Sequence, residues 1–267
     1  MAKYVFLLGC VCTALFPLVW VFMSSFKTNA EILSNGISLP SRFSFDGYTQ
    51  ALKISPILQY FFNSVVITSI TTVVNVFFLA MAAYIFARYQ FRGKNILYLL
   101  LSLSLVIPMT ALLHPVYMTI NALHLANKKS GLVLVYTALN LPMSLLILRG
   151  TFQSIPRSME EAAVMDGAGF VRVFFQIMLP MAKSGLASAG VLTFLNCWNE
   201  FTFALVLTSS QSARTLPLSL SYFTSQFSFN YTAMFAAIVI AIIPSIVVFA
   251  LFQEQIVRSL TAGAIKE

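Results

Sequence analysis

Of the eight acidic residues in this 267-residue chain, four stand where their chemistry could matter. Glu160, Glu161 and Asp166 crowd into Ile155-Pro-Arg-Ser-Met-Glu-Glu-Ala-Ala-Val-Met-Asp-Gly-Ala-Gly169, and Glu200 stands in a long apolar run beside Asn196 and Asn199. A charged acid near the centre of a membrane helix costs about 2.5–3.5 kcal/mol on insertion scales, so Glu200 requires compensation. On a helix, residues 196 and 200 share a face, which Thr193 and Phe203 extend. Two readings stand: a hydrogen-bond clamp to another subunit, or direct contact with a transported solute. A rival of another class, an ion-coupled secondary transporter, would use Glu200 as its ion site. Catalytic constellations are missing. The only Gly-Lys pair, Gly93-Lys94, has Arg88 where a phosphate loop needs Gly and Asn95 where it needs Ser or Thr. His114 and His124 have no carboxylate close in sequence. Neither an H-E-x-x-H zinc motif nor a G-x-S-x-G nucleophile elbow occurs, so no enzymatic activity, metal or cofactor is expected of this chain.

The elements that position these residues must lie in a membrane. Hydrophobic residues make up 59% of the chain and charged residues 9%, whereas a soluble domain is about 25% charged. The mean hydropathy of +0.86 extends this to the whole length. Six segments supply the roughly 20 apolar residues that a spanning helix needs: about 4–23, 61–86, 96–113, 132–148, 185–208 and 231–252. The first lacks a small-x-small cleavage pattern after Met23 and reads as a retained span. Pro17, Pro108, Pro142 and Pro244 interrupt spans and are expected to kink them. Cys10, Cys12 and Cys197 sit in apolar runs and read as small buried hydrophobes. The expected fold is all-α and polytopic, one transmembrane domain over 1–267, with no soluble domain or internal repeat.

The formal charge of +8 points to membrane topology rather than to nucleic acid, because cations collect in cytoplasmic loops. They concentrate on the side holding Lys3, Arg149, Arg157, Arg172, Lys183, Arg258, Lys266 and the turn Arg88-Tyr-Gln-Phe-Arg-Gly-Lys94. Fewer lie on the side of Lys27, Arg42, Lys53, Lys128, Lys129 and Arg214. Both termini are therefore expected in the cytoplasm. Glu200, which follows Gly185 by about 23 Å of helix, falls in the outer half of the membrane. In the second span Ser64, Thr68, Thr71 and Asn75 form one polar stripe, read as helix packing ahead of pore lining. The outward segment 210–230 carries Gln211, Arg214, Tyr222, Phe223 and Gln226 and no acid. It suits contact with a docked protein or a sugar, or else an interfacial turn.

Between the fourth and fifth spans lies the largest cytoplasmic loop, 149–183. Ser158 followed by Glu161 reads as a capping box, so a short helix should begin at Met159. It should stop at Gly167 and Gly169, which favour the left-handed backbone past a helix end. A second helix, 170–178, should close at Leu179-Pro180. Ala162 and Ala163 would give this bent plug a shallow face for close docking. A partner surface and a solvated turn both remain open.

Glu161-Ala-Ala-x-x-x-Gly167, then Ile177-x-Leu179-Pro180, resembles the EAA loop of the membrane subunits of binding-protein-dependent ABC importers. Ser24-Ser-Phe-Lys-Thr-Asn-Ala-Glu-Ile32, Asn63-Ser64 and Trp198-Asn199-Glu200-Phe201 are similar to the carbohydrate branch, in particular to the smaller permease subunit of maltose-type transporters. The resemblance covers essentially the whole chain. It implies the type I importer permease fold in a prokaryotic cytoplasmic membrane. It also implies four kinds of partner: a second homologous permease, two cytoplasmic ATPase subunits that hold the ATP and Mg, an external solute-binding protein and a sugar. Ser158, Glu160, Glu161, Ala162, Ala163, Asp166, Gly167 and Pro180 would then make up the ATPase-coupling element, with Glu161 both capping the helix and facing the ATPase. Asn196, Asn199, Glu200, Ser64 and Thr68 would line the path or its gate. Gln211, Arg214, Tyr222 and Gln226 would reach the binding protein. The runner-up keeps the permease and changes the cargo to a polyamine or phosphate.

Overall fold

The computed structural model describes residues 2–223 and 229–264, with side chains from Lys3 to Gln255, apart from the gap; Gln226 and Lys266 and the side chain of Arg258 lie outside it. Its regular elements are helical. In chain order they are α1 (Ala2–Ser24), α2 (Asn29–Ser34), α3 (Asp46–Ile54), α4 (Ile57–Arg88), α5 (Lys94–Leu103), α6 (Leu113–Ala122) and α7 (Lys129–Ser154). There follow α8 (Ser158–Met165), α9 (Phe170–Val173), a π-helical turn (Phe174–Met178), α10 (Leu179–Met181), α11 (Lys183–Asn199), α12 (Thr202–Leu207), a 3₁₀ segment (Leu216–Phe223) and α13 (Tyr231–Ala264).

Four of the six expected spans are continuous helices long and apolar enough to cross a bilayer: α1, α4, α7 and α13. Pro17, Pro142 and Pro244 lie inside three of them without ending them. The third and fifth expected spans, 96–113 and 185–208, are not single helices, the fifth being divided at Glu200 into α11 and α12, and two bent helix pairs stand in these parts of the chain. Lys94–Val106 and Met109–Ala122 meet at 104°, with Pro108 extended at the joint, where it cannot continue the helix. Phe170–Met181 and Lys183–Asn199 meet at 74°, because Ala182 between them leaves the helical conformation at ψ 9. The α4 helix has 32 residues, about 48 Å of rise, well beyond the roughly 30 Å hydrocarbon core. Cys197 is buried as expected, but Cys10 and Cys12 lie exposed on α1.

The chain groups into two compact units, 1–64 with 210–246 and 65–209 with 247–267. In the first, the segment after α1 folds back on it. Buried Lys27 donates from Nζ to the Gly36 carbonyl at 2.9 Å, and Trp20 Nε1 donates to the same carbonyl at 2.6 Å. Thr28 and Glu31 form a full capping box at the start of α2. Asn29 Oδ1 accepts from Thr232 N at 3.0 Å, which tethers α2 to the first turn of α13. Gly47 sits where backbones nearly touch: a Cβ there would fall 2.9 Å from the Thr232 carbonyl oxygen.

The second unit is organised by the crossing of α7 and α11. A Cβ on Gly185 would meet Thr151 Oγ1 at 2.1 Å, so only glycine permits this approach. Around it Leu79, Tyr84, Leu145, Leu148, Phe152 and Phe174 form a buried core. Tyr84 packs among Phe152, Phe170 and Phe174, with ring centroids 5.2–5.8 Å away.

Candidate functional site: a tethered loop helix and a polar ladder

The α8 helix is held by its less conspicuous acid. Arg88, at the end of α4, forms an ion pair with Glu160 and donates from Nη2 to the Ile155 carbonyl at 2.6 Å. Tyr84 OH donates to the other Glu160 oxygen at 3.2 Å. With Arg88 and Glu160 only 7% and 16% exposed, this is a largely desolvated pair, and removing one partner would strand the other charge. Ala163 is buried in the same core. The opposite face is free of such contacts in the chain: Glu161, Ala162 and Asp166 are exposed, Val164 is 60% exposed and Met165 87%. Ala162 is thus exposed where Ala163 is buried, and the two do not form one docking face.

Three further expectations for this loop are corrected. Ser158 is inside the helix rather than its cap, and no side chain caps α8. Pro156 and Arg157 carbonyls already accept the N–H groups of Met159 at 3.3 Å, Glu160 at 2.9 Å and Glu161 at 3.1 Å, so no donor is left for a serine. Gly167 has the left-handed φ of +80 that was expected, but Gly169 is extended at φ −73, ψ 167 and opens α9. Nor does Leu179-Pro180 close the second helix. Pro180 lies in the first turn of α10, where its missing N–H is tolerated, and the bend comes at Ala182.

In the apolar part of this unit, α7 and α11 run antiparallel and share a ladder of polar contacts. Tyr136 OH donates to Glu200 Oε2 at 2.8 Å, Asn196 Nδ2 donates to Asn140 Oδ1 at 3.0 Å, and the Ser144 and Thr193 hydroxyls lie 3.2 Å apart. Positions 136, 140 and 144 recur every four residues and meet 200, 196 and 193 in reverse order. Asn75 of α4 joins this ladder, donating from Nδ2 to the Thr137 carbonyl at 3.2 Å and accepting from Thr193 Oγ1 at 3.4 Å. At about 0.6 kcal/mol per intramembrane hydrogen bond, the three rungs contribute roughly 2 kcal/mol to the pairing.

Glu200 differs from its expected setting. It is not mid-helix: α11 ends at Asn199, and Glu200 is extended at φ −70, ψ 125. Its carboxylate accepts from Phe203 N at 2.7 Å and Ala204 N at 3.0 Å, capping α12. The clamp is therefore made within the chain, to Tyr136 and to the backbone of the next helix. Asn199 does not join it; exposed, it donates back to the Leu195 carbonyl at 2.9 Å. Tyr136 and Asn140 escaped the sequence reading, although their four-residue spacing in an apolar span is the signal that marked the α4 stripe.

The remaining candidates are mainly folded into their own unit. Ser64 and Thr68 are 2% and 1% exposed, and Ser64 Oγ accepts from Leu216 N at 2.7 Å. Asn63 Nδ2 clasps the Gln211 and Arg214 carbonyls at 3.1 and 2.9 Å. Tyr222 OH lies 3.0 Å from Tyr60 OH, and Leu216, Leu218 and Phe223 are buried. Much of the expected open loop is thus a packed 3₁₀ segment, leaving Gln211 exposed and Arg214 and Tyr222 half-buried. Among the described residues, no group of three His, Cys, Asp or Glu converges as metal ligands.

Residues 77–262 match the family described as binding-protein-dependent transport system inner membrane component. The chain is 36% identical, over 94% of its length and 83% of the relative's, to the diacetylchitobiose uptake system permease protein of Streptomyces coelicolor. It is likewise 36% identical, over 94% of its length and 89% of the relative's, to the sulfoquinovosyl glycerol transport system permease protein of Agrobacterium fabrum. Its fold resembles, with a TM-score of 0.82 at 24% identity, a chain of a bacterial ABC transporter involved in the import of the acidic polysaccharide alginate, over 95% of this chain and 94% of that one. The chain belongs to the binding-protein-dependent transport inner membrane family, and is a membrane transport component rather than an enzyme.

Proposed function

We propose that this family member is one of two homologous permease subunits of an ATP-driven sugar importer and supplies half of the translocation path. The observation that carries the reading is α8: a short helix locked to α4 through Glu160 on one side and exposing Glu161, Ala162, Met165 and Asp166 on the other. Such a projecting, rigidly based helix suits a cytoplasmic ATPase subunit, which would bind the ATP and Mg and move α8 as a lever. Gly167 sets the turn by which α8 joins α9. The sugar cargo is supported by the two relatives, permease proteins of a diacetylchitobiose uptake system and of a sulfoquinovosyl glycerol transport system. The whole of 1–267 then acts as one permease domain in a prokaryotic cytoplasmic membrane, with both termini and α8 on the cytoplasmic side, in keeping with the bias of cations.

In this reading Asn196, Asn199 and Glu200 stand by the path, with Ser64 and Thr68 bracing its wall from buried positions. Gln211, Arg214, Tyr222 and Gln226 meet an external binding protein. The test is reconstitution of the chain with its partner permease, ATPase and binding protein in proteoliposomes. Uptake of a labelled oligosaccharide should require internal ATP and the binding protein together. Uptake of phosphate or a polyamine instead, with no sugar uptake, would overturn the cargo assignment.

A further inference from the structure

The stretch after α1 carries large apolar side chains that nothing in its own unit covers. Leu33 is 71% exposed, Ile37 77%, Leu39 76%, Phe43 64% and Phe45 67%. An aqueous loop with this pattern would be unfavourable, at about 25 cal/mol per Å² of apolar surface left in water. Its place beside α1, however, is fixed by two donors. The Gly36 carbonyl accepts from Trp20 Nε1 and from Lys27 Nζ, so the chain has doubled back beside the last turn of α1. Trp20 precedes the end of α1 at Ser24 by four residues, about 6 Å of helix. Gly36 is thus held beside this end of the span, where Val19 and Phe22 are 52% and 47% exposed, and Ile37 and Leu39 follow it in the chain.

An aromatic chain joins this segment to the span through a buried ring. Phe22 of α1 meets Phe26 edge-on at 5.3 Å, and Phe26 meets Phe43 at 5.6 Å and Phe45 at 5.4 Å. The returning segment is also closed on itself. Glu31 accepts from the Ser41 backbone N–H at 3.1 Å and from its hydroxyl, which buckles residue 41 to α2. Buried Lys27 spends its charge on backbone carbonyls rather than on water.

We propose that residues 33–45 are an interfacial lipid-binding skirt. They insert Ile37, Leu39, Phe43 and Phe45 into the headgroup–acyl boundary of the leaflet in which α1 ends. The occupant is phospholipid, because Phe43 and Phe45 are joined through Phe26 to Phe22 on a helix long and apolar enough to cross a bilayer, and because a tryptophan bonded at a polar edge is the usual marker of the membrane interface. The skirt would hold α1 and the start of α13 at a fixed depth, since Trp20 also stacks edge-on against Phe235 at 5.2 Å.

The experiment uses the full chain in liposomes of phosphatidylethanolamine and phosphatidylglycerol. Benzoylphenylalanine is placed singly at Ile37, Leu39 or Phe43, or at exposed Thr49 of α3 as the aqueous control, and illuminated. Mass spectrometry should find phospholipid adducts several-fold more abundant at the three skirt positions than at Thr49. In Leu39→Trp, emission relative to the parent should shift to the blue and be quenched by lipid brominated near the start of its acyl chains. Adduct yields equal to that at Thr49, or an added tryptophan emitting as in water and unquenched, would overturn the proposal. So would lipid adducts in the chain alone that are replaced by protein adducts when the complete transporter with its loaded binding protein is assembled, which would make the patch a docking surface.

Discussion

At the residue scale, the same short pattern has opposite outcomes at two places. Thr28 and Glu31 form a capping box and Ser158 and Glu161 do not. The difference is upstream, because Pro156 and Arg157 supply the carbonyls that begin α8. A spacing rule sees the serine and the glutamate but not which carbonyls precede them. The Glu31 carboxyl is held down to about 2, chiefly by the Ser41 hydroxyl, then by the Thr28 and Ser41 backbone N–H groups. Its folded pKa lies below its ordinary value of 4.5, so its contribution is complete above pH 4.5 and fades as pH falls towards 2. The protection factors of the residue 28–41 amides, taken relative to intrinsic exchange at each pH, should accordingly fall across that window. In Glu31→Gln they should be low already at neutral pH and no longer change across it; an unchanged profile would dismiss the buckle. Glu200 was legible as a residue needing compensation, but its break of α11 was not, since the donors that fix it are backbone groups of residues 203 and 204. Glu200→Leu removes a cap worth about 1 kcal/mol and leaves the Tyr136 hydroxyl without its acceptor. It should lower the detergent melting temperature more than Tyr136→Phe, with Glu200→Gln between the native protein and Glu200→Leu. Equal melting temperatures for Glu200→Leu and the native chain would contradict the clamp.

At the element scale, hydropathy located all six apolar segments, and four became single helices. The bend at Pro108 follows the kink expected of that proline, whereas a window average does not register the breaks at Ala182 and at Glu200. The ladder between α7 and α11 was half legible: Asn196 and Glu200 were visible as polar residues in a span, while their partners Tyr136 and Asn140 looked like ordinary members of another. The loop helix separates into two functions that mutation can distinguish. Glu160→Ala strands Arg88 in a nearly dry site and should destabilise the subunit by about 3 kcal/mol, with loss of uptake following from the damaged fold. Glu161→Lys changes an exposed residue, so the melting temperature should stay within a degree or so of the native value. Yet ATPase co-purification and uptake should fall on the order of tenfold, as when a contact worth about 1.4 kcal/mol is lost. Gly167→Pro should also abolish uptake, because proline is restricted to φ near −65° and the native φ is +80. Native uptake and ATPase recovery by Glu161→Lys would remove α8 from coupling. The crossing of α7 and α11 gives a check of its own: Gly185→Ala should prevent stable insertion. Thr151→Ala should relieve it only in part, since the Thr151 Cβ itself lies 2.7 Å from the added methyl carbon.

At the scale of the whole molecule, the remaining question is where the energy for transport enters. An ion-coupled carrier needs an intramembrane carboxylate that exchanges its partners as it binds and releases a cation. Glu200 is occupied otherwise: both oxygens accept hydrogen bonds, two from the backbone of α12 and one from Tyr136. Releasing it would uncap a helix and leave the Tyr136 hydroxyl without its acceptor, so the carboxylate works as a structural joint between α7, α11 and α12. The exposed acids of α8, by contrast, have no such duties and remain available to a partner. Energy is therefore expected to enter at the α8 face and to reach the spans through Arg88, Tyr84 and the core around Phe152 and Phe174. Proteoliposomes of the complete assembly, loaded with ATP, should take up sugar at the same rate with and without a proton uncoupler. Glu200→Gln should lower the rate of uptake without making it sensitive to the uncoupler. Uptake that collapses on addition of the uncoupler while internal ATP stays intact would place the energy source at Glu200 and not at α8.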